Sequence, residues 1–264
     1  MNGDYFRHVV IGAGIIAGAG KNGAGHMTVS RSIGRVSKRL DADSGGKFYK
    51  FEDDSQTLNI RLNIGMTGFG KSALLAHQLR SIVQLNKRLK RDKIILLDPS
   101  SDDFHFSWFG RRVSSAKEIN NVAGRPIDAF HLRVISRDEK LFDYVCWLSR
   151  QHEDVFLLID EVWNFIPTKA GARMEPESWN LLVVESRHSR IRILGTAQRP
   201  AQIHNNLLNL AQETNIFRTE DVERLRSKLQ TKENLELARQ LEKFEFFNVK
   251  NGEPVLCSVP NPKS

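Results

Sequence analysis

The chain has 264 residues, 40% of them hydrophobic, with 39 Lys and Arg against 31 Asp and Glu, a net charge of +8 and a pI near 9.6. That length suits one α/β domain of above-average size, or one domain with appendages, and the apolar content supports a core. No window approaches the ~18 apolar residues of a membrane span and no signal-peptide pattern opens the chain, so a cytosolic protein is expected.

The basic excess favours an anionic partner such as nucleic acid, although a merely basic surface fits it equally well. Residues 1–55 differ from the rest: Gly12, Gly14, Gly18, Gly20, Gly23 and Gly25 crowd one short stretch, too many for a stable helix. Val9-Val10-Ile11-Gly12-Ala13-Gly14 superficially matches a dinucleotide fingerprint, but the glycine run that follows denies the helix such a fingerprint needs. A flexible arm, an interaction segment or a membrane-surface contact are the readings left. Arg31, Arg35, Lys38 and Arg39 form a basic stripe at helical spacing, facing DNA, acidic neighbours or solvent.

From about residue 57 strand and helix patterns alternate. Strands are expected over 57–64, 93–98, 130–135, 155–160, 191–197 and 213–218, with a final pair near 244–249 and 254–259 joined by Asn251-Gly252. Helices are expected near 71–90, 138–152, 176–188, 200–211 and 220–241. This alternation predicts an α/β fold, a mainly parallel sheet with helices on both faces. Cys146 falls in a helical apolar pattern and Cys257 in a terminal strand, as packing thiols rather than a disulfide or metal pair. The histidines show no ligand spacing, and no structural zinc is expected.

Three motifs carry chemistry. The first, Gly65-Met66-Thr67-Gly68-Phe69-Gly70-Lys71-Ser72, reads G-x-x-x-x-G-K-S between the strand Leu58-Ile60-Leu62-Ile64 and a helix marked by Leu75, Leu79, Ile82 and Val83. Its glycines let backbone N–H groups turn toward a polyphosphate at a helix N-terminus. Gly65, Thr67, Gly68, Gly70, Lys71 and Ser72 would bind ATP, with Lys71 reaching the β- and γ-phosphates and Ser72 holding Mg²⁺.

The second motif is the apolar run Val155–Ile159 ending in Asp160-Glu161 at the carboxyl edge of a strand. Asp160 would join the Mg²⁺ shell and Glu161 would orient or deprotonate the attacking water. In the third, Ile191–Ala197 leads into Gln198, whose amide could donate to the γ-phosphate and accept from the lytic water; Thr196 and Gln198 equally suit a strand-end cap.

These motifs, with Ile159-Asp160-Glu161-Val162-Trp163-Asn164-Phe165-Ile166-Pro167 and Thr196-Ala197-Gln198-Arg199-Pro200, resemble the HerA–FtsK superfamily of P-loop ATPases over roughly residues 57–220. The resemblance implies a RecA-like core and a DNA translocase working as a homo-oligomeric ring, commonly a hexamer. It also implies a trans-acting arginine just before the glutamine strand, where Arg187 aligns best and Arg190 second; Arg218 matches a further position, as a phosphate sensor or a structural partner. Asp98-Pro99 resembles a HerA-type Asp-Pro, without an evident following glutamate, which puts a carboxylate role for Asp102 or Asp103 in doubt. Candidate DNA contacts are the loop Thr168–Arg173, with Lys169 and Arg173, and the aromatic, basic segment Phe106–Arg112, whose aromatics equally suit a subunit interface.

A core this small with an N-terminal extension over 1–55 and an ATPase domain over 56–264 resembles the genome-packaging ATPases of tailless viruses with an internal membrane. That implies a motor pumping double-stranded DNA into a preformed capsid, in the host cytoplasm or at a virion vertex, in contact with capsid-vertex or membrane proteins. The alternatives are a HerA-like repair or conjugation motor, and a filamentous-phage assembly ATPase resembling zonular occludens toxin, which would want a membrane span. A non-motor nucleotide switch is the reading from a different class.

Overall fold

The computed structural model describes residues 8–9, 59–86, 93–100, 103–123, 129–166, 176–186 and 190–259. The glycine run, the basic stripe, Asp102, the loop Thr168–Arg173 and Arg187 lie outside the described residues.

The strands are β1 (His8–Val9), β2 (Ile60–Ile64), β3 (Lys93–Leu97), β4 (Arg111–Val113), β5 (Phe130–Val134), β6 (Val155–Ile159), β7 (Arg192–Ala197), β8 (Glu213–Ile216), β9 (Glu245–Lys250) and β10 (Glu253–Ser258). The helices are α1 (Lys71–Asn86), α2 (Asp103–Phe106), α3 (Ala116–Ala123), α4 (Glu139–Arg150), α5 (Glu177–Glu185), α6 (Asn205–Leu210), α7 (Arg226–Leu229) and α8 (Lys232–Gln240). Among the described residues the strands form one sheet in the order β1-β10-β9-β8-β2-β7-β6-β3-β5-β4. From β8 to β4 every neighbouring pair is parallel; β9, β10 and β1 add an antiparallel edge.

Side chains of alternate residues on a strand face opposite ways, which builds two apolar layers. Ile60, Leu62, Ile95, Leu97, Leu157, Ile159 and Ile193 pack with Phe142, Val145 and Leu182 of α4 and α5. On the other face, Ile94, Leu96, Phe156 and Leu158 meet Leu75, Leu79 and Ile82 of α1. Each fully buried leucine or isoleucine contributes about 1.5–3 kcal/mol. Both cysteines are buried, and neither forms a disulfide.

Beneath the first turns of α1, the sheet is polar rather than apolar. Asn248 Nδ2 donates to Asn215 Oδ1 (2.7 Å), Asn215 Nδ2 to Asn63 Oδ1 (2.8 Å) and Asn63 Nδ2 to Gln78 Oε1 (3.0 Å). All four residues are buried, so the chain of amides fixes α1 in angle and register over β9, β8 and β2. Lys71 and Ser72, at the start of α1, inherit that position.

Two expected helices differ. The span 220–241 breaks into a 3₁₀ turn at Val222–Leu225, α7 and α8, because Gln230 takes φ +65° and Thr231 Oγ1 starts α8 afresh by accepting from the Asn234 N–H at 3.1 Å. The span 200–211 is a 3₁₀ turn, Pro200–Gln202, followed by α6. Four elements have no counterpart among the expectations: β1, α2, β4 and α3. For α3 a signal existed, since Ser115-Ala116-Lys117-Glu118 is an S-x-x-E helix start; Ser115 Oγ accepts from the Glu118 N–H (3.3 Å) and Glu118 reaches back to the Ser114 N–H (2.7 Å).

Candidate active site

The glycine loop leaves β2 at Gly65 and enters α1 at Lys71. It is pinned on both sides: the Gly65 N–H donates to the Ala197 carbonyl (3.0 Å) at the end of β7, and the Met66 N–H to the Arg218 carbonyl (2.8 Å) beyond β8. Gly65 has φ +150°, and a Cβ there would stand 2.6 Å from Phe217 Cβ, so no side chain fits. Gly70 has φ +108°, and a Cβ would meet the Phe244 ring at 2.7 Å. Thr67 and Gly68 are exposed at the crest.

Lys71 is buried, and its Nζ donates to the Met66 carbonyl at 3.1 Å, folding the ammonium into the loop. Burial pulls its pKa below that of an ordinary lysine, while the Glu161 and Asp160 carboxylates oppose the shift. Ser72 Oγ donates to Asp160 Oδ1 at 3.2 Å.

Strand order makes that contact possible. β7 lies between β2 and β6, so Thr196 of β7 stands beside both the loop and the paired carboxylates. Thr196 Oγ1 donates to Asp160 Oδ1 (2.7 Å) and accepts from the Glu161 N–H (2.8 Å). Glu161 adopts the left-handed backbone region, φ 60° and ψ 69°, which costs a non-glycine residue about 1–2 kcal/mol. Its carboxylate accepts from Trp163 Nε1 (2.8 Å) on one oxygen and from Gln198 Nε2 (3.4 Å) on the other. Three strand ends thus bring Lys71, Ser72, Asp160, Glu161, Thr196 and Gln198 together at the carboxyl edge of the sheet, where open α/β sheets bind ligands.

Arg190 is not part of this cluster. It stands before β7, at the amino edge of the sheet, where its guanidinium lies 3.7 Å from Asp154 and is two-thirds exposed. A strand the length of β7 rises about 20 Å, so Arg190 does not reach the site of its own chain. Asp98, buried at the end of β3, takes both Nε (3.0 Å) and Nη2 (2.7 Å) of Arg133 from β5. That pair explains Asp98 as an ion-pair partner; nothing in the local sequence around Arg133 signalled it, because the two residues meet only across the β3–β5 register. In the segment Phe106–Arg112, Phe106 and Phe109 belong to the core, whereas Trp108 is exposed under the Arg80 guanidinium at 5.2 Å.

The oxygens of Ser72 and Asp160 suit a hard cation. Magnesium uses few protein ligands and completes its shell with phosphate and water, which matches this sparse set. Burial pushes the Asp160 carboxyl up to about 6, aided by the charges of Glu161 and Asp98 and opposed by the hydrogen bonds from Thr196 and Ser72. A buried carboxylate disfavoured in its ionised form is one that a cation would stabilise. A raised folded-state pKa means that stability is present below the unfolded value near 3.8 and declines as pH rises through about 6. Asp160→Asn is therefore expected to melt roughly 5 °C higher than the parent at pH 7.5 without nucleotide or metal, with the difference vanishing near pH 4. Thermal melts across that range check this, and a variant that melts lower than the parent at pH 7.5 contradicts it.

The zonular occludens toxin (Zot) family model matches residues 62–245, most of the chain and all of these site residues. The chain belongs to the zonular occludens toxin family. The residues alone placed this family behind the packaging ATPases for want of a membrane-spanning stretch; the match adds it to that resemblance. Among the described residues, no helix is long and apolar enough to cross a membrane. The Zot family is one of P-loop ATPases, so the chain is an enzyme of that class, as the three motifs imply. A search of the curated proteins finds no match. Among solved structures, the genome packaging NTPase B204 from Sulfolobus turreted icosahedral virus 2, in complex with AMPPCP, is similar at 20% identity. That match has a TM-score of 0.59 and covers 77% of this chain and 98% of that one. VirB4 of Thermoanaerobacter pseudethanolicus is similar at 10% identity and TM-score 0.56, covering 84% and 96% of the two chains. EccC of Thermomonospora curvata is similar at 13% identity and TM-score 0.55, covering 85% of this chain and 40% of its own. At these identities the likeness is one of fold, a RecA-like P-loop ATPase core.

Proposed function

We propose that this Zot-family ATPase is an ATP-driven motor that moves DNA during virus assembly, pumping double-stranded DNA into a preformed capsid. The observation that carries the catalytic half is the bridge of Glu161 between Trp163 and Gln198, beside Lys71 and the Ser72–Asp160 pair. ATP lies in the glycine loop with Lys71 on its β- and γ-phosphates. A magnesium ion held by Ser72 and Asp160 supplies charge neutralisation on the phosphate oxygens when bound. Glu161 accepts the proton of the attacking water, and Gln198 exchanges its contact with Glu161 for the water and the γ-phosphate. The charge that builds on the transferring phosphoryl group needs a further cation, and Arg187 or Arg190 of a neighbouring copy in a ring fits that need.

The DNA half rests on the net charge of +8 and on the fold likeness to a protein named as a genome packaging NTPase. The family match itself favours a second reading, the assembly of a filamentous phage. Steady-state ATP turnover at low salt, without DNA, with duplex and with single-stranded DNA, separates the readings. Roughly tenfold stimulation by duplex that fades with added salt is expected of a packaging motor. Stimulation by single strands alone favours the filamentous-phage reading, and turnover indifferent to both leaves only a nucleotide switch.

A further inference from the structure

The γ-phosphate end of the site is set by Glu161 and Gln198, on the β6 and β7 side of the loop. A polyphosphate lying across the start of α1 must therefore lead its nucleoside out on the opposite side, over β8 and β9. That side is not bare. Phe69, Ala73, Phe244 and Val255 form a half-buried apolar rim around a buried cluster of Leu74, Phe217, Phe246, Cys257 and Val259. The rim is attached to the loop itself, because the Phe244 N–H donates to the Phe69 carbonyl at 3.1 Å and the Phe244 ring occupies the space a Gly70 side chain would need.

Phe244 is also strained. Its φ is +70°, a region an aromatic residue rarely adopts and that costs of order 1–3 kcal/mol. The Val259 N–H, bonded to the Phe244 carbonyl at 2.6 Å, helps hold it there. Packing alone gives little reason for the strain, since the ring stays half-exposed at the mouth of the loop rather than sinking into the cluster. At the same rim the Arg218 guanidinium sits over the Phe69 ring at 5.6 Å, and its Nε–H is buried without a hydrogen-bond acceptor. A donor in that state gains by turning to an acceptor brought by a ligand.

We infer that the turn entering β9 and the segment leaving β8 supply the nucleoside subsite: the base of the nucleoside triphosphate stacks on Phe244, and Arg218 donates to an acceptor of the nucleoside. This rests on the reading of the glycine loop as a triphosphate site and adds to it the part of the ligand that the loop cannot recognise. It also assigns a purpose to β9 and β10, which stand at the sheet edge beyond the parallel strands and yet reach the loop through Phe244 and Val259.

Inorganic tripolyphosphate carries the phosphates without a nucleoside, so it separates the two ends of the site. Equilibrium binding of ATPγS and of tripolyphosphate is measured for the parent, Phe244→Leu and Arg218→Met. Leucine keeps an apolar contact near Gly70 and removes the aromatic face. Phe244→Leu is expected to weaken ATPγS about tenfold, the scale of one lost base stack, and tripolyphosphate less than twofold; Arg218→Met follows the same split. Phe244→Trp is expected to bind ATPγS with a change in indole emission beyond that of the parent, and to show no such change with tripolyphosphate. Equal loss of both ligands in Phe244→Leu means the residue only shapes the loop, and unchanged ATPγS binding means the base lies elsewhere; either overturns the subsite while the triphosphate reading stands. A parent that binds neither ligand overturns both.

Discussion

Replacing Lys71 by methionine is expected to lower ATP turnover at least about a thousandfold while leaving the melting temperature within a few degrees. The side chain is buried where α1 begins, and its Nζ meets the Met66 carbonyl inside the glycine loop. Methionine fills a similar volume, so the packing of α1 survives. What disappears is the only cation among the described residues that the loop itself places against a polyphosphate, facing Asp160 and Glu161, the two carboxylates that favour its charge. Removal of one preorganised donor from a transition-state site costs about 10²–10³ in rate, and here a full charge leaves as well. ATPγS affinity falls with it, because the ground-state phosphates lose the same contact. Turnover within tenfold of the parent in a variant that melts normally removes Lys71 from the chemistry.

Glu161→Gln is the second large effect, and it splits binding from chemistry. A general base contributes about 10²–10⁴-fold, so kcat is expected to fall by that factor with KM nearly unchanged. The glutamine oxygen retains one of the two contacts that now come from Trp163 Nε1 and Gln198 Nε2, and the left-handed turn at position 161 is held by the Thr196 hydroxyl rather than by the side chain. The variant should therefore bind ATP and hold it unhydrolysed. Rapid-quench single turnover with bound radiolabelled ATP reads this directly; a variant whose chemical step stays within threefold of the parent shows that the proton goes elsewhere.

Much of the parallel core was legible from the pattern because β3 and β6 read as apolar runs and β2 and β5 alternate apolar with polar residues, all ending sharply. Their expected and observed spans agree to within a few residues. The short edge strand β4, Arg111-Arg112-Val113, carries two exposed arginines and no alternation, so no pattern announced it. The long helix expected over 220–241 failed at Gln230, where a positive φ in a residue other than glycine leaves no mark in the sequence. Its restart did leave one, since Thr231 precedes α8 as a hydroxyl cap.

Local residue order by itself determined the class of this protein, a P-loop ATPase. Gly65 to Ser72 carries the spacing of a phosphate-binding turn, whose glycines let backbone N–H groups turn toward an anion. Asp160-Glu161 at the end of an apolar strand marks the carboxylates. Tertiary structure decided how these parts meet. Only the strand order, with β7 inserted between β2 and β6, sets Thr196 against Asp160 and Gln198 against Glu161. Only the β3–β5 register joins Arg133 to Asp98, and only the antiparallel edge brings Phe244 to within reach of Gly70 from 174 positions further along the chain. Each of these contacts depends on which strands are neighbours, a choice made by the burial of whole faces against one another rather than by any short run of residues.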